Sequence, residues 1–161
     1  MREARHGEHA ETGRVTAEAY REFVRPGEAA WEGYLEQIAD VASRADRTTI
    51  LVAVQDVRVV GSATLELDGR VDEAEDGPLA PGEAHIRMLG VERAARGGGV
   101  ARALMHACEE VARARGRETM TLYTTHRMGA AQRMYEALGY ERGPDRTFDD
   151  GFVLLSFSKR L

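Results

Sequence analysis

The segment from His85 to Arg113 limits the fold more than any other, because three consecutive glycines stand between a strand-like and a helix-like pattern. His85-Ile86-Arg87-Met88-Leu89-Gly90-Val91 alternates apolar and polar residues, which predicts a strand with Ile86, Met88 and Gly90 on one side. After the glycines, Val100, Ala103, Leu104, Ala107, Cys108 and Val111 recur at helical spacing, with Arg102, Glu109, Glu110 and Arg113 on the opposite face. Glycine accepts positive φ and has no Cβ, and the first turn of a helix leaves N–H donors unpaired at the positive end of its dipole. The order strand, glycine loop, helix is therefore an anion site, with phosphate as the first ligand to consider. Arg96 and Arg102 are candidates for additional charge-assisted bonds. A flexible loop with no ligand is the plain alternative.

Two familiar glycine loops can be tested against the letters. The P-loop of nucleotide hydrolases needs Gly-Lys-Ser/Thr, and the chain contains no such tripeptide. A dinucleotide fingerprint needs a last glycine where Ala101 and Arg102 stand, so that match is weak. A net charge of −5 argues against a general nucleic-acid binder. Length and composition, 161 residues with 43% hydrophobic and 30% charged, suit a single domain spanning 1–161. No apolar run approaches the roughly 20 residues of a spanning helix, and the N-terminus lacks a hydrophobic signal core, so a cytoplasmic chain without membrane contact is expected. Cys108, the only cysteine, permits no internal disulfide and falls on the apolar side of its helix, and no zinc-like spacing occurs, so no metal is expected.

Elsewhere, Thr16 to Phe23 and Ala29 to Ala45 read as helices, with Pro26-Gly27 between them. Ile50 to Val54, a turn at Asp56 and Val59 to Leu67 form a hairpin pattern; Thr119 to Thr124 and Phe152 to Ser158 are further strands. Asp68 to Gly82, with five carboxylates among Gly, Pro and Ala, is expected to be a solvated connection, the sharper alternative being that it steers cationic amines. The total is an α/β domain.

Leu89-x-Val91 followed by Arg96-x-x-Gly99-x-Ala101 and Leu104 resembles the acetyl-CoA motif of the GNAT N-acetyltransferase superfamily. Leu122, then Ala131-x-x-Met134-Tyr135-x-x-x-Gly139-Tyr140, resembles its second motif, in the family's order and spacing. The resemblance implies an α/β fold with a mixed, mostly antiparallel central sheet, splayed parallel strands and helices on both faces. It implies that Arg96, Gly97, Gly98, Gly99, Val100, Ala101 and Arg102 hold the CoA pyrophosphate, while main-chain groups of Leu89, Gly90 and Val91 hold the pantetheine and acetyl carbonyl. The implied activity is transfer of acetyl from acetyl-CoA to a primary amine of a small molecule or peptide, by direct attack through a tetrahedral intermediate. Homodimerisation through the terminal strands follows by analogy. Two departures stand out. Met128 occupies the place of a family asparagine, and Met1 to His9 has almost no β-formers, so the family's first strand is very short here or missing.

The implied chemistry needs a proton acceptor, since an alkyl ammonium with a pKa near 10 is only about one-thousandth free base at neutral pH. Glu83 and His85, two apart and on one face of a strand, are the candidates beside water. An N–H near Leu89 to Val91, freed by a bulge at Gly90, is placed to stabilise an oxyanion. Tyr135 matches the family tyrosine that protonates the departing thiolate; its alternative is a core aromatic on the face of Ala131, Met134 and Leu138. Trp31, Tyr34 and Phe148 are candidates for an aromatic acceptor pocket, and His126 and Arg127 for a distal cofactor phosphate. A non-catalytic acyl-CoA-binding or sensing module is the second functional class.

Overall fold

The computed structural model describes all 161 residues. The elements are β1 (Arg2–Glu3), α1 (His9–Arg21), α2 (Ala29–Ala39), α3 (Ala42–Ala45), β2 (Thr49–Gln55), β3 (Arg58–Glu66), α4 (Glu73–Asp76), β4 (Glu83–Val91), α5 (Val100–Ala114), β5 (Thr119–Thr124), α6 (Gly129–Ala137), β6 (Glu141–Arg142), β7 (Arg146–Thr147) and β8 (Val153–Arg160). They build one sheet in the order β1-β2-β3-β4-β5-β8-β6, and β7 pairs with the start of β8. Only the β4–β5 pair is parallel, with α5 as its crossover. That pairing ends at Ile86 opposite Leu122, and the strands then run on to Val91 and Thr124 without bonding each other. The sheet therefore opens in the middle.

Alternation along β3 explains the two covered faces. Ala63 and Leu65 join the larger core with Leu104, Met105, Cys108 and Ala112 of α5, all fully buried. Ser62 and Thr64 face the other way, where Thr16 of α1 shares a 2.5 Å hydrogen bond with Ser62 and Arg44 donates through Nε to Thr64 Oγ1 at 3.2 Å. Each large aliphatic side chain so buried stabilises the fold by about 1.5–3 kcal/mol. On the α1 face two glycines are steric necessities. A Cβ on Gly13 would lie 1.9 Å from the carbonyl oxygen of Ala39, and one on Gly90 would lie 3.0 Å from the Thr16 side chain and 3.2 Å from Ala19.

Four expectations change. Ile86, Met88 and Gly90 do not share one side, because the register skips between Gly90 opposite Ser62 and Arg87 opposite Thr64. The bulge lies at Met88, where φ is +54°, so Ile86 packs with α5 while Met88 joins Ala17, Leu35 and Ile38 under the helices. Gly90 serves close packing instead. The helix expected over 29–45 breaks after Ala39, because buried Arg44 folds back and donates to the Gln37, Ile38 and Asp40 carbonyls at 2.7–2.9 Å. The acidic stretch is folded. Asp72 caps α4, Asp68 pairs with Arg117 at 2.6 Å, and Asp76 pairs with Arg87 at 3.0 Å and with Arg146. The first strand is indeed very short, two residues paired to Val52 and Leu51 of β2. No helix is long and apolar enough to cross a membrane.

Candidate active site

Where β4 and β5 part, a cavity of about 560 Å³ opens. His85, Arg87 and Met88 border it from β4, and Tyr123, Thr124 and Thr125 from β5 and the turn beyond. Trp31 and Tyr34 of α2 form one wall, Phe148 and Phe152 another, and Asp72, Glu75 and Asp76 a third. All three aromatic residues singled out from the sequence line it.

His85 is 2% exposed, and its Nδ1 lies 2.7 Å from Thr121 Oγ1. The same hydroxyl donates to Glu83 Oε1 at 2.6 Å. Since Thr121 has one proton and the carboxylate only accepts, the hydroxyl accepts from His85 Nδ1–H. The tautomer follows. The imidazole proton sits on Nδ1, and Nε2, which makes no hydrogen bond within the protein, keeps its lone pair free. Burial, with repulsion from Arg70 and Arg87 adding to it, holds the imidazole pKa well below its ordinary value. Glu83 is anchored in turn by the Ala80 N–H at 2.8 Å and by Arg70 at 3.5 Å. The two sequence candidates thus meet through a third residue: Glu83 orients, and His85 faces the cavity. Thr121 lies directly opposite His85 in the parallel register. The polar side chains at 119, 121 and 123 were its sequence signal, legible only once β5 is paired with β4.

Tyr135 is 6% exposed and packs against Tyr140 and Phe157 at ring separations of 6.1 and 5.7 Å. Its hydroxyl has no hydrogen-bond partner in the protein, and burial raises its pKa, so it remains an O–H donor at neutral pH. The ring lies in the larger core, and burial, with Tyr34 and Tyr135 adding to it, raises the pKa of Tyr20. Tyr20 borders the cavity.

At the glycine loop, Gly97 and Gly99 take φ of +82° and +80°, which favours glycine, and an added Cβ at either would meet nothing within 4 Å. The N–H groups from Gly97 to Arg102 donate to no acceptor in the protein, and no side chain caps α5. Six free donors around an open, left-handed loop at the start of a 15-residue helix fit a pyrophosphate. Val100 is buried below them, Ala101 is half-buried, and Arg102 is exposed without an ion pair. The Arg96 side chain points elsewhere, with Nη1 on Glu22 at 2.7 Å and Nε on the Val91 carbonyl at 3.1 Å. It ties the loop to α1 and the end of β4, where Leu89 is half-buried between buried Met88 and Gly90.

Met128 caps α6 by position only; its sulfur lies 3.5 Å from Thr124 Oγ1 and supplies no helix-capping bond. Arg127 is occupied by Glu28 in a bidentate pair at 2.6 and 2.7 Å and by the Phe23 carbonyl at 2.8 Å, so it laces the cavity wall. His126 is exposed. Cys108 is fully buried, and burial, with Glu109 nearby, pushes its thiol up to about 12. Thr125 escaped the sequence: it is 6% exposed, borders the cavity and leaves its hydroxyl without a partner.

The sequence model of the acetyltransferase (GNAT) family matches residues 14–140. No curated protein matches the chain at a significant level. Among solved structures, the fold is similar to a ribosomal-protein-alanine N-acetyltransferase from Brucella melitensis, with a TM-score of 0.69 and 20% identity over 99% of this chain and 98% of that one. It is also similar to a GNAT-family acetyltransferase from Staphylococcus aureus Mu50, with a TM-score of 0.73 and 14% identity over 99% and 96% of the two chains. A third is yncA from Salmonella typhimurium, solved with its cofactor acetyl-CoA, at a TM-score of 0.70 and 18% identity over 99% and 92%. These likenesses extend the splayed sheet to almost the whole chain, and the family match spans both motifs and the cavity floor between them. The chain belongs to the GNAT family of acetyltransferases, whose co-substrate is acetyl-CoA.

Proposed function

We propose that this chain transfers acetyl from acetyl-CoA to a primary amine by direct attack, with Nε2 of His85 receiving the amine proton. The observation that carries this is the Glu83–Thr121–His85 chain of hydrogen bonds, which leaves a neutral imidazole with a free lone pair bordering the cavity. Acetyl-CoA, when bound, supplies the activated acyl group. The N–H groups of Gly97 to Arg102 hold its pyrophosphate, and main-chain groups of Leu89, Gly90 and Val91, on the reach of β4 that has left β5, hold the pantetheine arm. An imidazole of depressed pKa is already unprotonated at neutral pH, and it takes the proton that makes an ammonium unreactive. Tyr135, kept protonated by burial, hydrogen-bonds the departing thiolate. A thiol held at about 12 and fully buried offers no covalent route through Cys108, which supports direct attack.

The test measures free thiol released from acetyl-CoA across an amine panel, with acetyl-CoA affinity determined separately by calorimetry. Thiol appearing one for one with acetylated amine is expected. Binding without turnover on any amine would instead identify a binding or sensing module.

A further inference from the structure

The cavity grades from a buried polar floor to an exposed acidic mouth. At the floor, His85 is 2% and Thr125 6% exposed, and both keep an unpartnered polar atom at or beneath the cavity surface. Trp31 forms part of the middle at 9% exposure. Towards solvent stand Glu75 and Asp150, both exposed, and half-buried Asp72.

Charge accounting around this space is uneven. Both arginines that border the cavity are paired, Arg87 with Glu66 at 3.4 Å and Asp76 at 3.0 Å and Arg127 with Glu28 at 2.6 Å, and Arg146 behind them shares Asp76 with Arg87. Asp72, Glu75 and Asp150 have no cationic partner. Asp72 and Asp150 each accept one backbone N–H, from Glu75 at 3.0 Å and Phe152 at 2.9 Å, which fixes the carboxylates without discharging them.

The apolar lining carries the same asymmetry. Phe152 is 38% exposed and is the only exposed large hydrophobic residue that borders the cavity. Trp31 meets it edge-on at 6.4 Å and Phe148 lies 5.9 Å from it, so the three rings border the cavity as one cluster, with the Arg146 guanidinium 4.6 Å over Phe148 and that of Arg127 5.9 Å over Trp31. An exposed phenyl beside an aromatic wall has a use when a flat apolar body lies against it. A volume of about 560 Å³ suits a small molecule, whereas a lysine side chain or a chain terminus needs only a narrow channel.

We infer that the acceptor is a small aryl-alkyl diamine: a primary amine that reaches His85, a ring held between Trp31, Phe148 and Phe152, and a second positive charge set against Asp72, Glu75 and Asp150. This inference rests on the acetyltransferase reading above. It narrows the acceptor to a dicationic small molecule and sets it apart from a peptide N-terminus.

The experiment compares kcat/KM for para-xylylenediamine, para-methylbenzylamine, para-(aminomethyl)benzoate and an alanine-initiated pentapeptide, at low and high salt. The diamine is expected to exceed the monoamine by about tenfold at low salt, from three carboxylates without cationic partners acting together, and to exceed the benzoate by more. The triple variant Asp72→Asn, Glu75→Gln and Asp150→Asn keeps the two backbone hydrogen bonds and is expected to bring the diamine-to-monoamine ratio to within about twofold. Turnover led by the benzoate or the pentapeptide, or a diamine preference that survives in the triple variant, overturns the inference while leaving the acetyltransferase reading intact. No thiol release with any of the four compounds overturns the inference, and only binding without turnover on every amine of the wider panel overturns the acetyltransferase reading as well.

Discussion

At the scale of single residues, one proton on Thr121 decides which nitrogen of His85 is free. Because its hydroxyl donates to Glu83, it accepts from His85, and the imidazole is left with Nε2 as an acceptor. The sequence offered Glu83, His85 or water as alternative acceptors; the hydrogen bonds that join the two side chains run through Thr121, which comes from a strand 36 residues further on from His85. Tyr135 has the opposite character. Its ring is core, as one reading of the sequence had it, while its unpartnered hydroxyl is the only part of the side chain left for the proposed donor role. Tyr135→Phe therefore keeps the packing and removes only the donor. The expected result is a fall in kcat of about a hundredfold with acetyl-CoA affinity within twofold, measured by steady-state thiol release and calorimetry. An unchanged kcat would return Tyr135 to a packing role.

At the scale of elements, local pattern and long-range contact divide the legible from the illegible. The glycine loop, α5 and β5 follow from periodicity, and β5 begins and ends at the residues expected, Thr119 and Thr124. The break between α2 and α3 does not, because it depends on Arg44 reaching back to three carbonyls, with burial lowering the guanidinium pKa to about 10. Nor does α4, whose Asp76 is held by Arg87 and by Arg146, 70 residues away. Two substitutions separate turn strain from helix packing. Val57, 95% exposed with φ of +63°, sits with Asp56 in the tight β2–β3 turn, where a β-branched residue is strained. Val57→Gly is expected to stabilise by about 0.5–1 kcal/mol, after the entropy that glycine adds to the unfolded chain is subtracted. Gly13→Ala, ordinarily favourable in a helix, is expected to destabilise by about 2–3 kcal/mol, because its Cβ would meet the Ala39 carbonyl. Urea midpoints of the two variants, moving in opposite directions, check both.

At the scale of the whole molecule, a parallel pair that stops bonding at Ile86 and Leu122 opens the sheet, and helices and loops from both ends of the chain close around the opening. The sheet's splay was legible through the two motifs. The cavity was not, since it needs α2, α4 and the β7–β8 hairpin brought together. Acid should unfold this assembly in two stages. The depressed folded pKa of His85 gives stability that is present above about 6.5 and is lost as pH falls below it. Glu8, held down to about 2 chiefly by Arg2, and Glu28, likewise by Arg127, give stability present above about 4.5 and lost as pH falls toward 2. Urea midpoints measured across pH should show both stages in the native chain and only the second in His85→Gln. That variant also supplies the most direct test of the proposed chemistry: kcat/KM for thiol release as a function of pH, native chain against His85→Gln, with acetyl-CoA affinity followed in parallel. The native chain is expected to lose activity on an acid limb below pH 6.5. His85→Gln should bind acetyl-CoA equally well, fall by about a hundredfold or more at neutral pH and lose that limb. An unchanged rate with the same acid limb in His85→Gln would contradict the assignment of His85 as the proton acceptor.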